Sequence, residues 1–245
     1  MSQVHFQAPP VTRINKLILI ATGVLFLVSS ILKAIGAFAP VSFLGLSGSG
    51  LFTGFVFQLV TYPFVEVQLL SFLFNSLVVW FIGSELESQW GSKVYLRFLL
   101  VTVVLVGLVY SLVGLLFFFG TPFFYNPLHG LSGINFALLI AYSILYPDRQ
   151  MSMMMIFPMN ARTFCYILAG IEVYMALFSS FATSWAHLLA MGISYLLIRF
   201  QTNPMVKKVL RSGWPSSGRS GPKRSGKKHL YVVKDEENKP PKYWQ

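Results

Sequence analysis

The sequence predicts an all-α fold, a polytopic membrane bundle of six transmembrane helices, and three observations lead there. The 245 residues are 55% hydrophobic and only 11% charged, where soluble domains carry about 25% charged residues. Six apolar runs of about sixteen residues or more recur along the chain. Lys and Arg alternate between the loops that join the runs, as the positive-inside bias demands of a chain that crosses a bilayer repeatedly.

In chain order the runs are 17–38, 64–82, 95–119, 131–146, 163–181 and 185–200. A helix needs roughly 20 apolar residues to cross about 30 Å of hydrocarbon. The first run is long enough and reads as a span rather than a signal peptide. Its removal would leave five spans and invert the charge pattern, and it lacks a small-residue cleavage site. Arg13 and Lys16 precede it, and Lys33 near its far end is the one charge out of pattern. The second and third runs also meet the length, with Lys93 and Arg97 between them. The fourth and sixth runs, at about sixteen residues, reach only about 24 Å. Arg149 and Arg162 flank the connection from fourth to fifth, and loops 39–62, 120–130 and 182–184 hold no Lys or Arg. Both termini are therefore expected on the cytoplasmic side.

Three regions follow: a cytoplasmic segment 1–16, a membrane domain 17–204 and a basic tail 205–245. Eleven of the tail's residues from Lys207 to Lys242 are Lys or Arg, opposed by Asp235, Glu236 and Glu237, so most of the net charge of +11 belongs there. Such a tail is expected to lie disordered on anionic lipid headgroups rather than on nucleic acid. The lone Cys165 excludes an intramolecular disulfide and a Cys-based zinc site, and reads as a small buried hydrophobe. The methionines of 151–155 read as an adaptable apolar loop.

The two short runs carry the chemistry. Both run from outside inward, so Ser132, opening the fourth, and His187, opening the sixth, are expected at similar depth below the outer surface. Unfinished backbone at that depth requires a water-lined cavity or burial in protein. An imidazole that takes a hydroxyl proton and returns it to a leaving amine makes Ser and His a sufficient hydrolytic pair. The unpaired N–H groups at the fourth helix's start suit an oxyanion. The bland alternatives are a packing serine and an interhelical histidine.

These residues resemble the rhomboid intramembrane proteases. Gly130-Leu131-Ser132-Gly133 matches that family's Gly-x-Ser-Gly around its nucleophile, Phe136 stands where an aromatic packs on the histidine, and Ala186-His187 opens the sixth span. Phe72-Leu73-Phe74-Asn75 ends in the family's oxyanion asparagine, followed by a cap-like Gly83-Ser84-Glu85-Leu86-Glu87 and Trp90-Gly91-Ser92. The resemblance implies a rhomboid-like fold and a Ser132–His187 dyad. The implied oxyanion hole comprises Asn75, Leu131, Ser132 and Ser71, and Gly130, Gly133, Phe136 and Ala190 are the residues that pack around the dyad. Three departures stand out. Ser71 replaces a histidine donor, Ala190 and Ser194 replace the glycines of Gly-x-x-x-Gly, and Phe57-Gln58 replaces Trp-Arg.

The expected function is therefore an intramembrane serine protease that cleaves transmembrane segments of membrane proteins, with the fifth helix or its following loop as lateral gate. The alternative is a rhomboid-like pseudoprotease that binds or escorts membrane helices. No cofactor, metal or nucleic acid is expected, and the expected setting is a bacterial inner membrane. Asn75 has a second reading as a bridge between helices. Glu172 is either protonated against the bundle or lines the cavity. Glu66 is expected to face water, His129 to be a loop residue, and Glu85 and Glu87 to cap the cytoplasmic end near Lys93 and Arg97.

Overall fold

The computed structural model describes residues 10–36, 40–148, 150–151, 159–179 and 181–202. The basic tail, Arg149 and most of the methionine cluster lie outside these. Among the described residues the architecture is a helical membrane bundle. Five helices are long and apolar enough to cross a bilayer, and a sixth is apolar but short.

The first span, α1 (Arg13–Ala34), buries only Asn15, Ile18 and Thr22. The rest of its apolar surface, including Leu17, Val24 and Ile31, faces outward, as lipid rather than water requires. One end of α1 is tied down by Glu87. Its carboxylate accepts from Thr12 Oγ1, from the Ile14 N–H (3.1 Å) and the Asn15 N–H (3.3 Å), and from Ser92 Oγ (2.6 Å). An acid on a neighbouring helix thereby satisfies N–H groups that α1's first turn leaves unpaired.

Three short helices, α2 (Pro40–Leu44), α3 (Gly48–Phe52) and α4 (Gln58–Thr61), fold the segment between the first two spans. Gln58 anchors them, although it stands where the rhomboid pattern that the sequence resembles has an arginine. It is buried, donates to the Phe43 carbonyl (3.0 Å) and accepts from the Ser47 N–H (3.4 Å). Thr61 Oγ1 adds a bond to the Leu44 carbonyl at 2.9 Å.

The second span joins α5 (Leu69–Val78), a π-helical turn at Val79–Gly83 and α6 (Ser84–Trp90) in one rod. Gly83 lets α1 and the third span close on that turn, since a Cβ there would stand 2.7 Å from Tyr95 Oη and 2.8 Å from Asn15 Oδ1. The third span, α7 (Ser92–Phe117), is the central post. Tyr95, Phe98, Leu99, Thr102, Val103, Val106, Tyr110 and Gly114 line one buried stripe at helical spacing.

After α8 (Pro122–Tyr125), segment 126–131 leads into α9 (Ser132–Leu145). At 14 residues α9 is the short helix that the fourth run predicts, about 21 Å long. A two-residue antiparallel ladder, Gln150–Met151 with Met159–Asn160, precedes α10 (Ala161–Phe178). Cys165 on α10 is buried and bonds the Leu139 carbonyl at 3.2 Å.

The last span corrects an expectation. Instead of a short helix opening near His187, α11 runs over Phe181–Thr202 for 22 residues. Thr183 and Ser184 made the run look shorter, but neither breaks a helix, and Ser184 is buried against the bundle. His187 therefore lies six residues inside α11, about 9 Å along it. Its depth comes from position within a full-length helix, not from a sunken tip. Helix α11 packs against α9, α10 and α7.

Candidate active site

Gly130 makes the corner from which α9 starts. Its φ of +99° lies in the region open to glycine, and its N–H bonds the Tyr62 carbonyl at 3.1 Å. The chain then turns at Leu131 and Ser132 opens the helix. Ser132 Oγ lies 2.8 Å from His187 Nε2, a hydrogen bond joining α9 to α11. The Phe136 ring, one turn along α9, sits 4.8 Å from the imidazole, centroid to centroid.

On its other side His187 faces α10. Its Nδ1 is 3.2 Å from Glu172 Oε2, with both side chains largely covered at 15% and 13% exposure. The two atoms are within reach of each other but not aligned as a hydrogen bond. Of the two readings the sequence leaves open for Glu172, the structure has it beside the histidine.

The expected anion-binding donors converge, but on a residue assigned to water. Glu66 Oε1 accepts from the Leu131 N–H at 2.9 Å and from Asn75 Nδ2 at 2.7 Å. Glu66 is only 4% exposed, which corrects the expectation that it faces the outer loop. Loops 39–62 and 120–130 at this end offer no Lys or Arg, so a carboxylate here takes N–H donors instead. Asn75 is held in turn by Asn135, whose Nδ2 donates to Asn75 Oδ1 at 2.8 Å and to its carbonyl at 3.1 Å. Asn75 thus bridges α5 to α9 while directing its amide N–H at the shared oxygen.

Two of the expected contributors stand elsewhere. Ser71 Oγ donates to Oε1 of Gln68, the N-cap residue of its own helix, at 3.3 Å, because a short hydroxyl at a helix start finds a local acceptor first. Gly133 is not the point of close helix contact, since a Cβ there would meet nothing within 4 Å. The contact falls one turn further along, where Ala190 is fully buried and Ser194 Oγ bonds the Ala137 carbonyl at 2.7 Å. Small residues on α11 do allow close approach, but to Ala137, and space is left open at Gly133.

His129 lies in the segment before α9, as expected of a loop residue. Burial holds it below the ordinary imidazole range, with the Glu66 carboxylate and a bond to the Val65 backbone pulling the other way. At the opposite end of the bundle the expected cap is built by bonds from Glu87 to α1 and from Tyr142 Oη to Glu85 (3.1 Å).

Reasoning from sequence missed Glu66 and Asn135 as parts of the site. For Glu66 the available signal was a lone acid in a stretch without cations. For Asn135 it was an amide one turn after Ser132 in an otherwise apolar helix. Chemically the cluster offers a hydroxyl on an imidazole, an acid behind that imidazole, and two N–H donors that hold a negatively charged oxygen.

A family model described as "Eukaryotic integral membrane protein (DUF1751)" matches residues 16–213. Rhomboid-like protein 19 of Arabidopsis thaliana is 26% identical over 105 residues, which cover 42% of this chain and 34% of that protein. The chain thus matches about a third of that relative's length. A eukaryotic family overturns the expectation of a bacterial inner membrane. Loop charges orient helices in both kinds of membrane alike and carry no information on which one holds them.

Proposed function

The chain belongs to the DUF1751 family of eukaryotic integral membrane proteins, and from that premise we propose that it is a rhomboid-like serine protease of the membrane, cleaving transmembrane segments of other membrane proteins. The observation that carries the reading is the 2.8 Å contact between Ser132 Oγ and His187 Nε2 at the head of a short helix. His187 Nε2 takes the hydroxyl proton as Oγ attacks a peptide carbonyl, and returns it to the leaving amine. Water then hydrolyses the acyl ester by the same route in reverse. The oxyanion takes the Ser132 N–H together with the Leu131 N–H and the Asn75 amide, once Glu66 has moved off the latter two.

Substrate enters from lipid past α10, whose buried residues are only Ala161 and Cys165 among its eighteen. Weak helix formers near the cut let a substrate strand unwind to present its carbonyl. In this reading residues 17–204 form the catalytic domain, both termini are cytoplasmic, and the tail from 205 onward lies on anionic headgroups.

One observation favours a second reading, a pseudoprotease that binds membrane helices without cutting them: the Glu66 carboxylate occupies the donors that an oxyanion needs. Labelling by a fluorophosphonate probe in lipid nanodiscs separates the two. The protease reading expects labelling that Ser132→Ala abolishes, with parallel loss of cleavage of a model transmembrane substrate. A folded wild-type protein that is neither labelled nor able to cut would leave the binding role standing.

A further inference from the structure

We propose that Glu172 is a positioning residue for His187, so that the Ser132–His187 pair works as part of a triad whose acid comes from the neighbouring span. The proposal rests on the serine-hydrolase reading above and adds a residue to it.

Placement is the first support. Glu172 lies six residues before the end of α10 and His187 six residues after the start of α11. The two helices pack together and lie two residues apart in sequence, so equal distances from their facing ends bring the side chains level. The result is the 3.2 Å approach of Oε2 to Nδ1.

Energetics are the second. An acid within a membrane span is costly unless it has a partner, and Glu172 Oε2 has no hydrogen bond among the described residues. His187 Nδ1 is equally without one, although Nε2 is engaged. A small rotation of the Glu172 side chain aligns the pair, and catalytic contacts of this kind are commonly long before substrate binds.

The third is what the contact does to the ring. With Nδ1–H turned to a carboxylate, the lone pair resides on Nε2, the nitrogen that faces Ser132. Phe136 covers the ring beside it. The acid thereby selects the one tautomer able to accept the serine proton, and steadies the imidazolium that forms.

Other ionisable groups on the packed elements are few. Helix α9 brings Tyr142, and α7 brings Lys93, Tyr95 and Arg97 in its first turns and Tyr110 further on. Glu66 reaches the site through Leu131.

The test uses the full chain in nanodiscs with ¹⁵N-labelled histidine. In the wild type His187 is expected as the Nδ1–H tautomer, a preference that Glu172→Gln should weaken. Glu172→Asp, which keeps the carboxyl group, should restore part of that tautomer preference even if the glutamine variant folds poorly. Fluorophosphonate labelling should slow about tenfold or more in Glu172→Gln and recover in part in Glu172→Asp. Normal labelling of Ser132 in Glu172→Gln together with an unmoved tautomer would overturn the role of Glu172 alone. Absence of wild-type labelling would overturn the hydrolase reading and the positioning role with it, even where the tautomer shows the two side chains paired.

Discussion

Replacing Glu66 by alanine takes away the single oxygen on which Leu131 N–H and Asn75 Nδ2 converge, at 2.9 and 2.7 Å. Hydrogen bonds to an ionised group are worth about 1.5–3 kcal/mol each. Water entering the vacated space recovers part of the two, which leaves an expected loss of stability of about 2–3 kcal/mol. Reactivity should move in the opposite direction. In the wild type a carbonyl or phosphonyl oxygen must displace the carboxylate before it is stabilised, a handicap comparable to one such bond. At 1.4 kcal/mol per tenfold, that predicts labelling of Ser132 roughly 10- to 100-fold faster in Glu66→Ala. The assay is the second-order rate constant for fluorophosphonate labelling in nanodiscs, with the thermal midpoint measured in parallel. Glu66→Gln should fall between the two, since its amide oxygen still accepts but without charge. A folded Glu66→Ala protein that labels no faster than wild type would refute the idea that the carboxylate competes for the site. Glu66 would then be scaffolding that holds the two donors in place.

Gly130→Ala should lose about 1–3 kcal/mol. Its φ is +99° and the added Cβ would sit 3.3 Å from Glu66 Oε1, so both a lower thermal midpoint and slower labelling are expected. Glu87→Gln removes the charge that caps α1 and should lower the midpoint by an amount equivalent to about 1–2 kcal/mol. Because Glu87 lies at the opposite end of the bundle, labelling of Ser132 well below that midpoint should keep its wild-type rate.

How much of this was legible can be judged element by element. The six helices follow from runs of apolar residues, because the bilayer leaves the backbone no other way to satisfy itself. The shortness of α9 was readable, since Gly130 and Asp148 bracket it. The length of α11 was not. Thr183 and Ser184 lower the local hydropathy, yet tertiary burial of Ser184 carries the helix through. Ser132 and His187 stand together in the structure, though the reason given for their common depth, two short helices, holds for only one of them. Glu66 was misplaced because hydropathy assigns a lone acid to water, whereas its partners are an N–H of residue 131 and an amide of residue 75. Contacts across such sequence distances depend on how the loops fold back, which periodicity does not encode. The level placement of Glu172 and His187 depends on where α10 ends and α11 starts, and so was hidden along with the length of α11.

The backbone pairing of Leu46 with Leu128, N–H to carbonyl in both directions at 2.9 and 2.7 Å, bears on the route to Ser132. It stitches the folded loop between the first two spans to the strand-like lead into α9, and Gly130 N–H adds a third stitch at Tyr62. In the protease reading proposed above, approach through these loops would cost main-chain hydrogen bonds, whereas the thinly held flank of α10 would leave a sideways route from lipid.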